Sequence, residues 1–239
     1  MKLETVKSTL FAKHQVNHGF ITKNINFKAE KEGDISAGYA NLGGYLQERI
    51  ISLDQVHSDE IFIDNGCNLQ ESLQQEADGI ISTQKNTAIV IKTADCVPIL
   101  ITNLEKTMIA GVHSGWRGSL AGINENMIAT LEDMGFPAHT LLIGIGPGIS
   151  QRNYEVGKEF YENFLNHDSS SGIFFYCDEN GKIYFDNKRY VYHKYEKLGA
   201  GAIEMIDIDT YADGRFFSYR ANLRNIPSKN GTQGSFITL

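Results

Sequence analysis

Short β-branched runs crowd the middle of this chain. Residues 87–91 read Thr-Ala-Ile-Val-Ile, and 99–102 and 107–112 follow in the same style, set apart by polar residues and Pro98. Runs of this length and branching fit buried strands. A helix fits 120–134, where Leu120, Ile123, Met127, Ile128, Leu131 and Met134 recur at the three-and-four spacing of one buried face, and Gly135 and Pro137 stop it. Residues 141–145 return as a strand. The last third repeats the alternation. Residues 155–165 place Phe160, Tyr161, Phe164 and Leu165 on a helical stripe, and 166–172 read as a loop. Residues 183–185 form a strand, Asp186 caps a helix that Gly199 ends, and 203–208 and 235–239 are strands. Strands interleaved with long helices predict an α/β (α+β) fold with mixed sheets. With no repeat and no low-complexity linker, residues 1–239 are expected to form one domain.

Composition narrows the function classes. The 13 Phe and 11 Tyr need a packed core, which excludes a disordered chain. A net charge of −7 argues against a general nucleic-acid binder, which carries a basic excess. No apolar run approaches the roughly 20 residues of a membrane span. The first residues lack the apolar core of a secretory signal, so a cytoplasmic protein without a membrane partner is expected. The three cysteines, Cys67, Cys96 and Cys177, are too few and too scattered for a disulfide framework. Cys67 and Cys177 lie in no motif and are read as non-catalytic.

Three segments stand out because reactive side chains close apolar runs: Gln55-Val56-His57-Ser58, Thr93-Ala94-Asp95-Cys96-Val97-Pro98 and His113-Ser114-Gly115-Trp116-Arg117-Gly118. Strand ends hold side chains rigidly at a sheet's rim, where sites are built. His57, Cys96 and His113 make a candidate zinc set, since a thiolate and neutral imidazoles both suit that ion. No C-x-x-C is present to close a structural site. Three protein ligands leave the fourth position for water, as in catalytic zinc sites. The alternative is a core cysteine with two satisfied surface histidines. In the third segment, glycines flank the only Trp and an Arg. Trp116 could stack on a ring and Arg117 could offer a planar fork to phosphate or carboxylate; equally, the Trp could fill the core and the Arg pair with an acid. Arg220, in Ser218-Tyr219-Arg220, could reach an anion or form a surface ion pair. Gly144-Ile145-Gly146-Pro147-Gly148 lacks the sixth-position glycine of a dinucleotide loop and is broken by Pro147. His14, His18, His139, His167 and His193 show no paired spacing and read as solvated or core histidines.

These segments, with His18-Gly19-Phe20, Asn41-Leu42-Gly43, Ala77-Asp78-Gly79, Ile145-Gly146-Pro147-Gly148-Ile149, Tyr154-Glu155-Val156-Gly157 and Phe217-Ser218-Tyr219-Arg220, resemble the YfiH/YlmD family, also called laccase-domain or polyphenol-oxidoreductase proteins. The resemblance implies a YfiH-like α/β/β/α layering and one zinc per chain held by His57, Cys96 and His113. It implies phosphorolysis of adenosine, inosine, guanosine and methylthioadenosine, with deamination of adenosine, so that purine nucleosides and phosphate are the partners. On this reading Cys96, His113 and Asp95 are catalytic, Asp95 as an acid/base or as an orienter of the ligands. Asn41, Trp116, Arg117 and Arg220 bind substrate. The chain departs from the family pattern at Ala221, where a second Arg is usual, at Gly231-Thr232-Gln233-Gly234, where Gly-Arg-Gln is usual, and at Lys23, where Arg is common. Fewer fixed cations favour deamination over phosphorolysis. Copper oxidation, suggested by the older family name, is set aside, since the chain has seven histidines and no His-x-His pair. Two other readings compete: a metal-free Cys–His hydrolase with Cys96 as nucleophile and His113 as base, acting on peptidoglycan precursors as some bacterial members' names suggest, and a non-catalytic binding module.

Overall fold

The structure, a computed structural model, describes residues 3–29 and 35–239. The strands in chain order are β1 (Thr5–Val6), β2 (His18–Ile21), β3 (Arg49–Ile51), β4 (Ile61–Ile63), β5 (Gly79–Ser82), β6 (Thr87–Thr93), β7 (Val97–Asn103), β8 (Ile109–Ser114), β9 (Leu141–Ile145), β10 (Glu155–Val156), β11 (Phe175–Cys177), β12 (Ile183–Phe185), β13 (Ala202–Met205) and β14 (Gln233–Thr238). The helices are α1 (Thr9–Lys13), α2 (Ala37–Leu46), α3 (Leu69–Ser72), α4 (Trp116–Ala121), α5 (Ile123–Asp133), α6 (Lys158–His167), α7 (Asn187–Lys197) and α8 (Tyr219–Leu223).

Among these residues the strands form two large mixed sheets and one small one. One sheet has the order β1-β2-β14-β6-β3, the other β13-β9-β7-β8-β5-β4, and a three-stranded sheet runs β10-β12-β11. The two large sheets pack face to face. In β6, Ile89 and Ile91 point into the space between them and meet Leu100 of β7 and Ile109 of β8. On the opposite side of β6, Ala88 and Val90 lie under Tyr39 and Leu42 of α2. In β7, Val97, Ile99 and Ile101 turn the other way, onto Met127 and Leu131 of α5 and Val191 and Tyr195 of α7. Helices therefore cover both outer faces, which is the expected α/β/β/α layering. Strands covered on both faces read as continuous apolar runs rather than alternating ones, the signal that marked them in the sequence. A separate aromatic cluster of Phe164, Phe174, Phe185 and Tyr190 joins α6, α7 and the small sheet. No helix among the described residues is long and apolar enough to cross a membrane.

Several expectations need correction. The helix placed at 120–134 is two helices: Gly122 at φ 110° ends α4 and starts α5, a left-handed turn that glycine adopts without penalty. The helix placed at 155–165 begins only at Lys158, because Glu155 and Val156 pair with β12 as a strand. The strand at 203–208 stops at Met205. The loop at 166–172 contains the end of α6 and a 3-10 helix over Ser169–Phe174, where the Asp168 side chain accepts from Ser170 N at 2.9 Å. His18 is a core histidine, with Nε2 accepting from Ser8 N and Nδ1 facing the Val16 carbonyl, both at 2.8 Å.

Candidate metal centre and substrate cleft

Sheet register brings the distant ligands together. β7 and β8 run antiparallel with Pro98 opposite His113 and Val97 opposite Ser114. Cys96, just before β7, and His113, near the end of β8, therefore share one rim. On the other side of β8, Gly79 of β5 lies opposite Val112, which sets Asp78 beside His113. His57 arrives from the loop between β3 and β4. The Gln55 amide pins that loop to the end of β6 through two bonds to the Lys92 main chain, at 2.7 and 2.8 Å.

The ligand atoms of His57, Cys96 and His113 all lie within 4.8 Å of one another. Cys96 Sγ is 3.9 Å from His57 Nε2, and the two imidazole rings meet edge to face at 4.7 Å. His113 is buried and its Nδ1 lies 2.6 Å from Asp78 Oδ1, which leaves Nε2 to face the sulfur. One soft thiolate and two imidazole nitrogens at this spacing fit a single divalent ion. The chain also comes unusually near: a Cβ at Gly115 would sit 2.8 Å from His57 Cδ2 and 3.1 Å from Cys96 Sγ. At this site two residues other than glycine hold left-handed backbone, His57 at φ 64° and Asp95 at φ 87°. For residues other than glycine this conformation costs about 1–2 kcal/mol and persists where neighbours enforce it.

Electrostatics favour an ionised Cys96–His113 pair. Burial opposes the Cys96 thiolate, but the facing imidazoles, His113 foremost, outweigh it and lower the thiol. Burial likewise opposes a charged His113, and the Cys96 thiolate with Asp78 outweighs that and raises the imidazole. Asp95 behaves differently. Burial raises its carboxyl although three groups donate to it: Thr210 Oγ1 at 2.7 Å, Ser218 Oγ at 2.9 Å and the Arg220 main-chain N–H at 2.7 Å.

Two hollows meet at the ligands. The first, about 380 Å³, has an aromatic wall of Trp116, Tyr154, Phe160 and Tyr219, and Asp95, Arg117 and Arg220 also line it. Phe160 backs Trp116 with ring centres 4.7 Å apart and ties that wall to the aromatic cluster. The Arg117 guanidinium lies 4.6 Å from the Trp116 ring, and that of Arg220 lies 5.4 Å from Tyr154. The second hollow, about 560 Å³, is more polar and includes Asp54, Gln55, Lys92 and Thr93. His57, Ala94, Cys96, Arg117 and Tyr219 belong to both.

The structure thus gathers His57, Asp95, Cys96, His113, Trp116, Arg117 and Arg220 around one junction. Asn41 is not among them. It is exposed on α2, which turns Tyr39 and Leu42 to the outer face of the five-stranded sheet, and it lines neither hollow. Asp78, Tyr154, Phe160 and Asn187 join the site from outside the three segments that carry the predicted chemistry. Phe160 was visible as part of an aromatic stripe, but nothing in the stripe told a core face from a cleft wall.

Residues 20–239 match the family described as multi-copper polyphenol oxidoreductase laccase. The chain belongs to this laccase-domain family. It is the family that the motifs resembled, and YfiH-named proteins are among its relatives. The laccase-domain chain is 33% identical over 201 residues to a purine nucleoside phosphorylase of Rickettsia conorii, covering 82% of this chain and 80% of that protein. It is 30% identical over 197 residues to the purine nucleoside phosphorylase YfiH of Escherichia coli K12, covering 82% and 76%. Its fold is similar to that of Bacillus licheniformis YfiH, described as a hypothetical protein, with a TM-score of 0.82, 21% identity and coverage of 94% and 93%. YlmD from Geobacillus stearothermophilus gives a TM-score of 0.81 at 20% identity, covering 97% and 93%.

Proposed function

We propose that this chain is a zinc-dependent purine nucleoside phosphorylase that also deaminates adenosine at the same site. The observation that carries the reading is a His–Cys–His ligand trio at the mouth of an aromatic cleft with two arginines, in a chain whose relatives are named purine nucleoside phosphorylases. Zinc is favoured over the copper of the family name by the donor set, one thiolate and two imidazoles, and by the absence of any His-x-His pair. Bound zinc would supply Lewis acidity at the junction of the two hollows.

The chain's own groups do the rest. The flat purine stacks on Trp116 and Tyr154, whose phenol burial keeps neutral. Arg117 and Arg220 hold phosphate against C1′ of the ribose. As the phosphate oxygen bonds to C1′, the bond to the base nitrogen breaks and the base takes the electron pair. Asp95 fixes Ser218 and the Arg220 main chain, and so aims Arg220 at the anion. A second reading has a specific observation behind it: Cys96, His113 and Asp78 follow one another as thiol, imidazole and carboxylate, the order of a cysteine hydrolase.

Protein of measured metal content, incubated with adenosine or inosine with and without phosphate and followed by liquid chromatography, separates these readings. About one zinc per chain, free base from inosine only when phosphate is present, and inosine from adenosine in its absence are expected. No nucleoside turnover would reject the proposal. A covalent acyl adduct on Cys96 would install the hydrolase in its place.

A further inference from the structure

Asp78 lines neither hollow, and its side chain has no solvent exposure. We infer that Asp78 is the positioning residue that sets both histidines of the metal site in place before an ion arrives. The inference rests on the metal-binding reading of His57, Cys96 and His113.

Its two oxygens serve different ligands. Oδ1 accepts from His113 Nδ1 at 2.6 Å, which turns the ring so that Nε2 faces Cys96. Oδ2 accepts from Val56 N at 3.2 Å, Ser58 N at 2.6 Å and Ser58 Oγ at 2.9 Å, the groups on either side of His57. Those bonds hold the loop in which His57 adopts its left-handed backbone. The Asp78 carbonyl also accepts from His113 N at 2.8 Å, so Asp78 grips that ligand by main chain and side chain together. A buried carboxylate persists where donors use its lone pairs, and four do so here. A brace for the 56–58 turn would need only Oδ2, and a partner for His113 only Oδ1. Asp78 spans the two.

Asp78→Asn tests this at nearly constant volume. Whichever way the amide turns, its NH₂ faces either the His113 Nδ1–H or the N–H groups flanking His57. Turned toward His113, it drives the imidazole proton onto Nε2, the nitrogen needed for the ion. Zinc affinity, read by competition with a chromophoric chelator, should fall about 10- to 100-fold, and the visible bands of the cobalt-loaded protein should change shape. Ser58→Ala, which removes one of four donors, should change affinity by no more than about twofold. Zinc binding by Asp78→Asn within about twofold of the parent, with an unchanged cobalt spectrum, would overturn the inference alone. A parent chain that takes up no zinc would overturn it together with the reading of the site. Should Asp78→Asn fail to fold, the unmodified zinc-loaded protein decides by nitrogen-detected NMR of its histidines. A slowly exchanging proton on His113 Nδ1 is expected, and a proton on Nε2 would sink the idea.

Discussion

The two parts of the ligand set are built differently. Cys96 immediately precedes β7 and His113 lies on β8, and the pairing of those two strands sets their spacing. His57 comes from a loop, in a backbone conformation unfavourable for its residue type, and is held by the side chains of Gln55 and Asp78 around it. The strand pair sets the spacing of its two residues mainly through main-chain bonds, with Asp78 adding the orientation of the His113 ring. A loop needs particular side chains to do so, and those are easier to lose.

His113→Ala should break the strand-borne part with the largest effect. Zinc and activity should vanish together. Asp78 would be left as a buried carboxylate without its ring partner, at a cost of about 3–5 kcal/mol to the metal-free protein in urea unfolding. His57→Gly should also abolish zinc binding, yet leave the metal-free chain within about 1 kcal/mol of the parent, because glycine relieves the left-handed strain. Equal stability losses in the two variants would erase the contrast between strand and loop.

Gly115→Ala probes how tightly the two parts are pressed together. Its methyl group would push against both His57 and Cys96, so zinc affinity should drop about tenfold or more. Unchanged affinity would show that the ligands have slack. Arg220→Ala should leave zinc content intact and raise KM for phosphate about tenfold, the worth of a charge-assisted bond. The Arg220 main-chain bond to Asp95 survives that change, so α8 stays in place. A KM unaffected by the substitution would remove Arg220 from the anion site.

The smallest effect lies away from both parts. Burial works against the Asp64 carboxylate, but Arg49, Ser82 and Gly66 donate to it and hold its carboxyl below the ordinary value. Its folded pKa is therefore lower than its unfolded value of about 4. The stability it adds is complete above that pH and is lost as pH falls through the folded value. Unfolding free energies measured at successive acid pH values should decline less steeply for Asp64→Asn than for the parent, with zinc content at neutral pH unchanged. Parallel declines would mean that the pair does not stabilise the fold.

Legibility in the sequence followed the same divide. β9 matches the expected 141–145, and β6 and β7 differ only at their ends, because strands buried on both faces leave unbroken apolar runs; β12 matches 183–185 although it is only half-buried in the small sheet. The junction of α4 with α5 was hidden, since the helical spacing of apolar residues runs on through Leu120 and Ile123 and only Gly122 marks the break, although Leu120 packs on the aromatic cluster and Ile123 in the main core. The ligand trio could be proposed from residue chemistry and motif resemblance. The role of Asp78 could not, although Ala77-Asp78-Gly79 is among those motifs, because its place beside His113 depends on β5 pairing with β8 across two intervening strands in the chain. Tyr154 and Asn187 are brought to the cleft by α7 and the small sheet, a convergence that no local pattern encodes.

Asp95 gives the site a mechanical linkage. It precedes Cys96 directly, and its carboxylate is bolted to Thr210, Ser218 and Arg220, the stretch that carries Tyr219 and Leu223 along the rim. That rim is thereby tied through side-chain and main-chain hydrogen bonds to the residue next to the sulfur. The lining of the first hollow and the candidate ion site are thus hitched to one carboxylate.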